Sequence, residues 1–228
     1  MGILIFAGIV LIIALIFGPQ YWVKHVIKKH AEPRPDLSGT GGELAQHLVE
    51  HYQLNGVGVE VTDQGDHYDP ESRTVRLSAD NYNGYSISAV AIAAHEVGHA
   101  IQHAGGERLL AMRQSLAKIL IWTDRFAMIF FSVAPLLALV ARSPALFLLM
   151  SVFGLGLMAM RVVVQLITLP VEFDASFKKA LPILEQGGYL HTEDLPAARS
   201  VLKAAAMTYV AAALMSLLNI LRIMRFGR

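Results

Sequence analysis

Cysteine is absent from the 228 residues, so no disulfide, thiolate metal ligand or cysteine nucleophile is available. Cysteine-rich zinc modules and cysteine hydrolases are thereby excluded. Charge is scarce as well: charged residues make up 16% of the chain against 54% hydrophobic, and the mean hydropathy is +0.48. Such a composition is too apolar for an ordinary soluble domain and points to an integral membrane protein. The formal charge is only +1 and no long basic tract is present. The concentrated Lys/Arg surface that neutralises phosphate is therefore missing, and nucleic acid is not an expected partner.

In place of charge the chain has four apolar runs. The first, ILIFAGIVLIIALIF over residues 3–17, is followed by Gly18 and Pro19, with Tyr21 and Trp22 placed as an interfacial belt. No basic side chain precedes it and no small-x-small cleavage site follows closely, so it reads as a retained span rather than a signal peptide. FAMIFFSVAPLLALVA and ALFLLMSVFGLGLMAM, joined by RSP, predict a helical hairpin. Arg125 and Arg161 stand equally far either side of Ser143, roughly 27 Å along each arm, where side chains reach headgroups and where Asp124 is placed to pair with Arg161. The fourth run, Ala204 to Leu221, is also roughly 27 Å of helix.

Four spans put both termini on one side and the polar stretches 20–118 and 169–203 on the other. More Lys and Arg lie near the span ends on the polar side, which predicts a cytoplasmic polar domain, although the basic RIMRFGR tail pulls the other way. The expected organisation is an N-terminal span at 1–19, a polar domain at 20–118 and a transmembrane hairpin at 119–169. A connecting segment with one further helix follows at 170–203, then a last span and basic tail at 204–228.

Within the polar domain HAEPRPDLSG reads as a linker. Thr40, three residues before Glu43, predicts a capping box opening a helix through about Tyr52, with Gly41 and Gly42 weakening its first turn. GVGVEVT and RTVRLS predict two antiparallel strands separated by the turn-forming DQGDHYDPES. If the second strand is a sheet edge beside a cleft, its free backbone groups would hold an extended peptide. A further helix is expected from Ser86 to about Ala104, capped by Ser86 or Ser88 and stopped by Gly105 and Gly106.

That last helix carries AHEVGHAIQH. Residues four apart on a helix share a face, so His95 and His99 present two imidazoles to one point, the pair that Zn²⁺ favours. Glu96 lies one residue round the helix, within reach of a metal-bound water, and H-E-x-x-H is the metallopeptidase pattern. Gly98 leaves room beside the ion. His47 and His51 share the four-residue spacing but have no glutamate placed as base. A third ligand is required. His103 lies two turns from His95, about 12 Å along the axis, and is too distant. A metzincin third histidine would fall at position 105, which is Gly105. Carboxylates on the same side remain, with Glu172 in TLPVEFDASFKKAL foremost. Asp174 is the alternative, either as the ligand or as a support for a histidine ring.

Through RLSADNYNGYSISAVAIAAHEVGHAIQHA, TLPVEFDASFKKAL and VLKAAAMTYVAAAL, the chain resembles the neutral zinc metallopeptidases of the YugP family, membrane proteins distantly similar to the HtpX-like zinc peptidases. The resemblance covers nearly the whole chain. It implies a mainly α-helical membrane protein of about four transmembrane helices with a gluzincin-like α+β domain carrying a small hairpin or sheet. It also implies a bacterial plasma-membrane location and a zinc site of His95, His99 and Glu172 with Glu96 as base. HtpX-like relatives begin E-x-x-A-D at the glutamate ligand. Here Glu172, Ala175 and Ser176 match, the final Asp is missing, and Asp174 is the carboxylate to which its supporting role would fall.

The expected activity is endopeptidase cleavage of membrane-associated polypeptides by metal-activated water. Arg199, His191, Tyr189 and Tyr82 are candidates to meet the charge on the carbonyl oxygen, with Arg199 and His191 carried as catalytic residues. Glu172 follows Arg161 by eleven residues, which places the ion above the hydrocarbon and the substrate in a loop or frayed end near the surface. The competing class is a non-enzymatic membrane scaffold with a structural or vestigial metal site.

Overall fold

The computed structural model describes residues 2–226, and within them the side chains of 2–13, 15, 16, 109, 124, 131, 134, 135, 138, 147, 219 and 221–226 lie outside the description. In chain order the elements are α1 (Gly2–Lys29), α2 (Gly41–His51), β1 (Gly58–Thr62), β2 (His67–Asp69), β3 (Thr74–Ser78), α3 (Ala79–Tyr82) and α4 (Ile87–Ala104). They continue with α5 (Arg108–Ala141), α6 (Pro144–Phe173), a π-helical segment Asp174–Ala180, α7 (Leu181–Gln186), a 3-10 turn Thr192–Asp194 and α8 (Leu195–Phe226). The chain divides into two units, one of residues 1–18, 112–168 and 209–228, the other of 19–111 and 169–208.

In the first unit α5 and α6 meet through the Phe130 and Phe153 rings, 4.8 Å apart, and Arg125 lies over the Trp122 ring at 5.4 Å. Arg113 on α5 donates a hydrogen bond to the Tyr209 hydroxyl on α8. The expectation of four spans is corrected to two among the described residues: Pro144–Gln186 and Thr192–Leu218 are long and apolar enough to cross a bilayer. A span needs an unbroken apolar run. The side chains of the expected first span lie almost wholly outside the description, as does that of Asp124, and the run 126–141 is interrupted by four residues whose side chains lie outside it too.

The second unit holds a three-stranded sheet in the order β1-β3-β2. The two β-rich runs do not form the expected antiparallel pair. β1 runs parallel to β3, with Val59 opposite Val75, and β2, drawn from the expected turn, is the antiparallel neighbour, with Tyr68 opposite Val75. After β1 the chain turns at Gly65, whose φ of +88° suits glycine. It returns as β2 two places across, and β3 fills the gap. β3 is the strand best able to occupy the middle, since Val75 and Leu77 are fully buried, whereas Val61 of β1 is half exposed. The second run is thus the central strand, paired on both sides, so the condition under which it would hold a peptide as a sheet edge is not met.

The core gathers around α4, which is buried from Ile87 through Ala100. A helix enclosed on every side needs small apolar residues so that neighbours can approach, and SAVAIAA supplies them. Ser86 caps it, accepting from Ala89 N at 3.1 Å, while Ser88 donates to Ile27 O at 2.7 Å. Fully buried Leu48, Leu77, Leu184 and Leu202 pack in the same core, each burial stabilising by about 1.5–3 kcal/mol. The capping box of α2 forms, with Glu43 N to Thr40 Oγ1 at 3.1 Å and Thr40 N to Glu43 Oε2 at 2.8 Å. Gly41, which weakens that first turn, is there for contact: a Cβ on it would lie 2.3 Å from Asn81 O and 2.8 Å from Ala89 O.

The linker after α1 is fastened by Arg34. Its guanidinium takes both oxygens of Asp36 (2.8 and 2.6 Å) and both of Asp194 (2.8 and 2.9 Å), the fork geometry in which arginine binds carboxylates best. The hydrogen bonds from Arg34 hold the Asp36 carboxyl down to about 2.

No helix boundary exists at the expected 169/170 junction. Pro170 lies inside α6, where it removes one helical N–H. Four residues later the helix widens into π register, with Leu181 N–H reaching back five residues to Ser176 O. The π segment lies against α4 at Gly98, where a Cβ would stand 3.0 Å from Ala175 O and 3.4 Å from Lys179 Cβ. The room at Gly98 serves this backbone approach. Replacing Gly98 with Val should destabilise the protein by about 1–3 kcal/mol through overpacking, read as a thermal midpoint lowered by several degrees in detergent. An unchanged midpoint would show that the contact yields without cost.

Candidate metal centre

One turn of α4 separates His95 from His99, and their rings stand 4.8 Å apart at 75°. Glu172, near the end of α6, brings a carboxylate oxygen between them, with Oε2 3.3 Å from His95 Nε2 and 3.4 Å from His99 Nε2. The ligand atoms of all three lie within 4.8 Å of one another, and all three residues are buried. No other set of three such residues converges among the described residues.

Hydrogen bonds on the far side of each ring decide which nitrogen is free. Ser176 Oγ donates its one proton to Leu202 O at 3.1 Å, so its 3.0 Å contact with His95 Nδ1 has the ring as donor. Gln102 Nε2 donates to Val171 O at 3.1 Å and to Asp174 Oδ2 at 2.8 Å, which leaves Oε1 to accept from His99 Nδ1 at 2.9 Å. A neutral imidazole carries one N–H. In the neutral form that binds a metal, both rings would therefore turn an Nε2 lone pair toward the Glu172 carboxylate oxygen, an arrangement that a cation between them would satisfy. Bonds of about 2.0–2.1 Å in a tetrahedron put ligand atoms about 3.3–3.4 Å apart, the separations found between Glu172 Oε2 and each imidazole nitrogen. The donor set fits zinc.

Glu96 is 6% exposed and follows His95 on the same helix. Asp174 does not reach a histidine ring directly: it acts through Gln102, because the π register sets it beside that side chain. The support expected of a final Asp in E-x-x-A-D stays at position 176, where a serine hydroxyl replaces the carboxylate. Sequence reasoning missed Gln102 and Ser176. The signals were present, one helical turn after His99 and at the matched pattern position.

His103 Nδ1 bonds Tyr68 hydroxyl at 2.8 Å. His47 and His51 stack at 5.9 Å, and His47 Nε2 shares a 3.0 Å hydrogen bond with the Tyr189 hydroxyl. Tyr82 packs where a Cβ on Gly42 would fall. His191 is exposed and lies 3.7 Å from Asp36, in the Arg34 cluster. Arg199 is exposed on α8.

A family model described as "Putative neutral zinc metallopeptidase" matches residues 4–228. "Putative membrane protease YugP" of Bacillus subtilis (strain 168) is 39% identical over 215 residues, covering 92% of this chain and 90% of that protein. No solved structure matches. Two buried imidazoles and a carboxylate with zinc-like spacing agree with a match over nearly the full length, and the chain belongs to this family of neutral zinc metallopeptidases.

Proposed function

We propose that the protein is a zinc-dependent endopeptidase acting on membrane-associated or membrane-proximal polypeptides. The observation that carries this reading is the trio of His95, His99 and Glu172, whose ligand atoms lie within 4.8 Å of one another, with Glu172 Oε2 3.3 and 3.4 Å from the two imidazole nitrogens. These three residues would hold the ion, a His₂Glu set of the kind found where one coordination position is left to water. Zinc supplies Lewis acidity, lowering the pKa of water toward neutrality and polarising the scissile carbonyl.

Glu96 takes a proton from the attacking water and delivers it to the departing amine. Its place beside His95 and its burial support this role, since a carboxylate shielded from solvent exchanges protons with the reacting groups rather than with bulk water. Arg199 is the proposed donor to the developing oxyanion, while His191, facing Asp36, is assigned to the Arg34 cluster. A membrane setting is supported by the name of the Bacillus relative and by the two apolar helical stretches. Polypeptide and bilayer are the partners that follow. The count of basic residues near the span ends supports a cytoplasmic catalytic unit.

Glu96→Gln should retain zinc while casein cleavage falls by about 10²–10⁴-fold. Equal cleavage by both proteins would remove Glu96 as base, and zinc retained with no cleavage by either would favour the scaffold reading. Glu172→Ala should weaken zinc binding by more than about 100-fold, beyond the loss typical of supporting residues. Unchanged affinity in a chelator competition would take Glu172 out of the coordination set. A reporter fused after Arg228 should be found outside the cytoplasm, and cytoplasmic signal would reverse the orientation.

A further inference from the structure

We propose that Gln102, held by Asp174, is the positioning residue that couples the two halves of the metal centre, an inference that rests on the metal-centre reading. Gln102 is fully buried and uses every polar atom of its amide. Oε1 accepts from His99 Nδ1 at 2.9 Å, and Nε2 donates to Val171 O at 3.1 Å and to Asp174 Oδ2 at 2.8 Å. The carbonyl it grips belongs to the residue before Glu172. One side chain thus orients a ligand on α4 and also ties down the backbone that presents the ligand on α6.

The amide cannot turn over. Reversing it would set a donor against the His99 N–H and an acceptor against both a carbonyl and a carboxylate, converting three attractions into three repulsions. Asp174 is itself anchored: Lys178 Nζ lies 3.3 Å from Oδ1 and Lys179 Nζ 3.7 Å from Oδ2. Lys179 also pairs with Glu107 at 2.8 Å, and Glu107 N donates to Gln102 O at 3.0 Å. Glu107, Lys179, Asp174 and Gln102 therefore form one line from the turn after α4 to the His99 ring. A carboxylate in place of Gln102 would hold the ring as well, but it would meet Asp174 and the Val171 carbonyl with no proton to offer. The glutamine is what lets an acid and a backbone oxygen both support the same histidine.

The test uses the full-length protein in detergent. Zinc affinity is measured by chelator competition, the visible spectrum of the Co²⁺-substituted protein is recorded, and kcat and KM for casein are determined separately. Gln102→Leu should lower zinc affinity by about 10–100-fold, shift the cobalt bands and reduce kcat more than it raises KM. Gln102→Glu, which sets two carboxylates against each other, should lose as much. Adding Asp174→Asn to Gln102→Glu restores a donor opposite the new carboxylate and should recover at least tenfold in affinity, a rescue that a space-filling role would not produce.

Unchanged affinity and cobalt bands in Gln102→Leu, or a double variant no better than Gln102→Glu alone, would overturn the assignment. Failure of the unaltered protein to bind zinc would instead overturn the metal-centre reading itself.

Discussion

Two backbones have to touch before this centre can exist. The π-helical segment after Glu172 presses on α4 at Gly98, with Ala175 O standing where any Cβ would crowd it. That approach brings Ser176 to His95, Asp174 to Gln102 and Glu172 to both imidazoles. The small residues along α4 serve the same end, since a helix closed in on all sides can be contacted closely only where its surface is thin. Packing and chemistry are here one requirement.

The electrostatic consequence is that each ring is anchored by the nitrogen that does not face Glu172. His95 gives its N–H to a serine that has already spent its own proton on a backbone carbonyl, and His99 gives its N–H to an amide whose own protons are committed elsewhere. Supporting groups of this type orient a ligand and keep its lone pair basic. The acids in the neighbourhood are kept apart in function: Glu172 faces the imidazoles, and Asp174 stands behind Gln102.

Much of the site was legible in the sequence because its parts are local. H-E-x-x-H is a helical spacing, the capping box at Thr40 and Glu43 is a three-residue rule, and the serines at 86 and 88 mark the start of α4, where Ser86 is the cap. Elimination narrowed the third ligand to Glu172 or Asp174, and the family resemblance pointed to Glu172. What could not be read depends on distant choices. Strand order turned on which β-rich run was most thoroughly buried, and the two runs became parallel because an eleven-residue connection had room for β2 between them. The π register leaves no composition signal, so the duties of Asp174 and Ser176 could not be separated. Gly98 looked like space for an ion and proved to be space for a chain. The count of spans rested on hydropathy alone, and two stretches meet that standard among the described residues.

The separation along the chain between His95 and Ser176, 81 positions, together with the further 26 from Ser176 to Leu202, bears on how the protein is made. The helix carrying both histidines leaves the ribosome long before the residues that complete and brace the centre. Contacts of such long range close late, after the intervening loop entropy has been overcome. A partly synthesised chain can therefore hold the two imidazoles without being able to assemble the finished site.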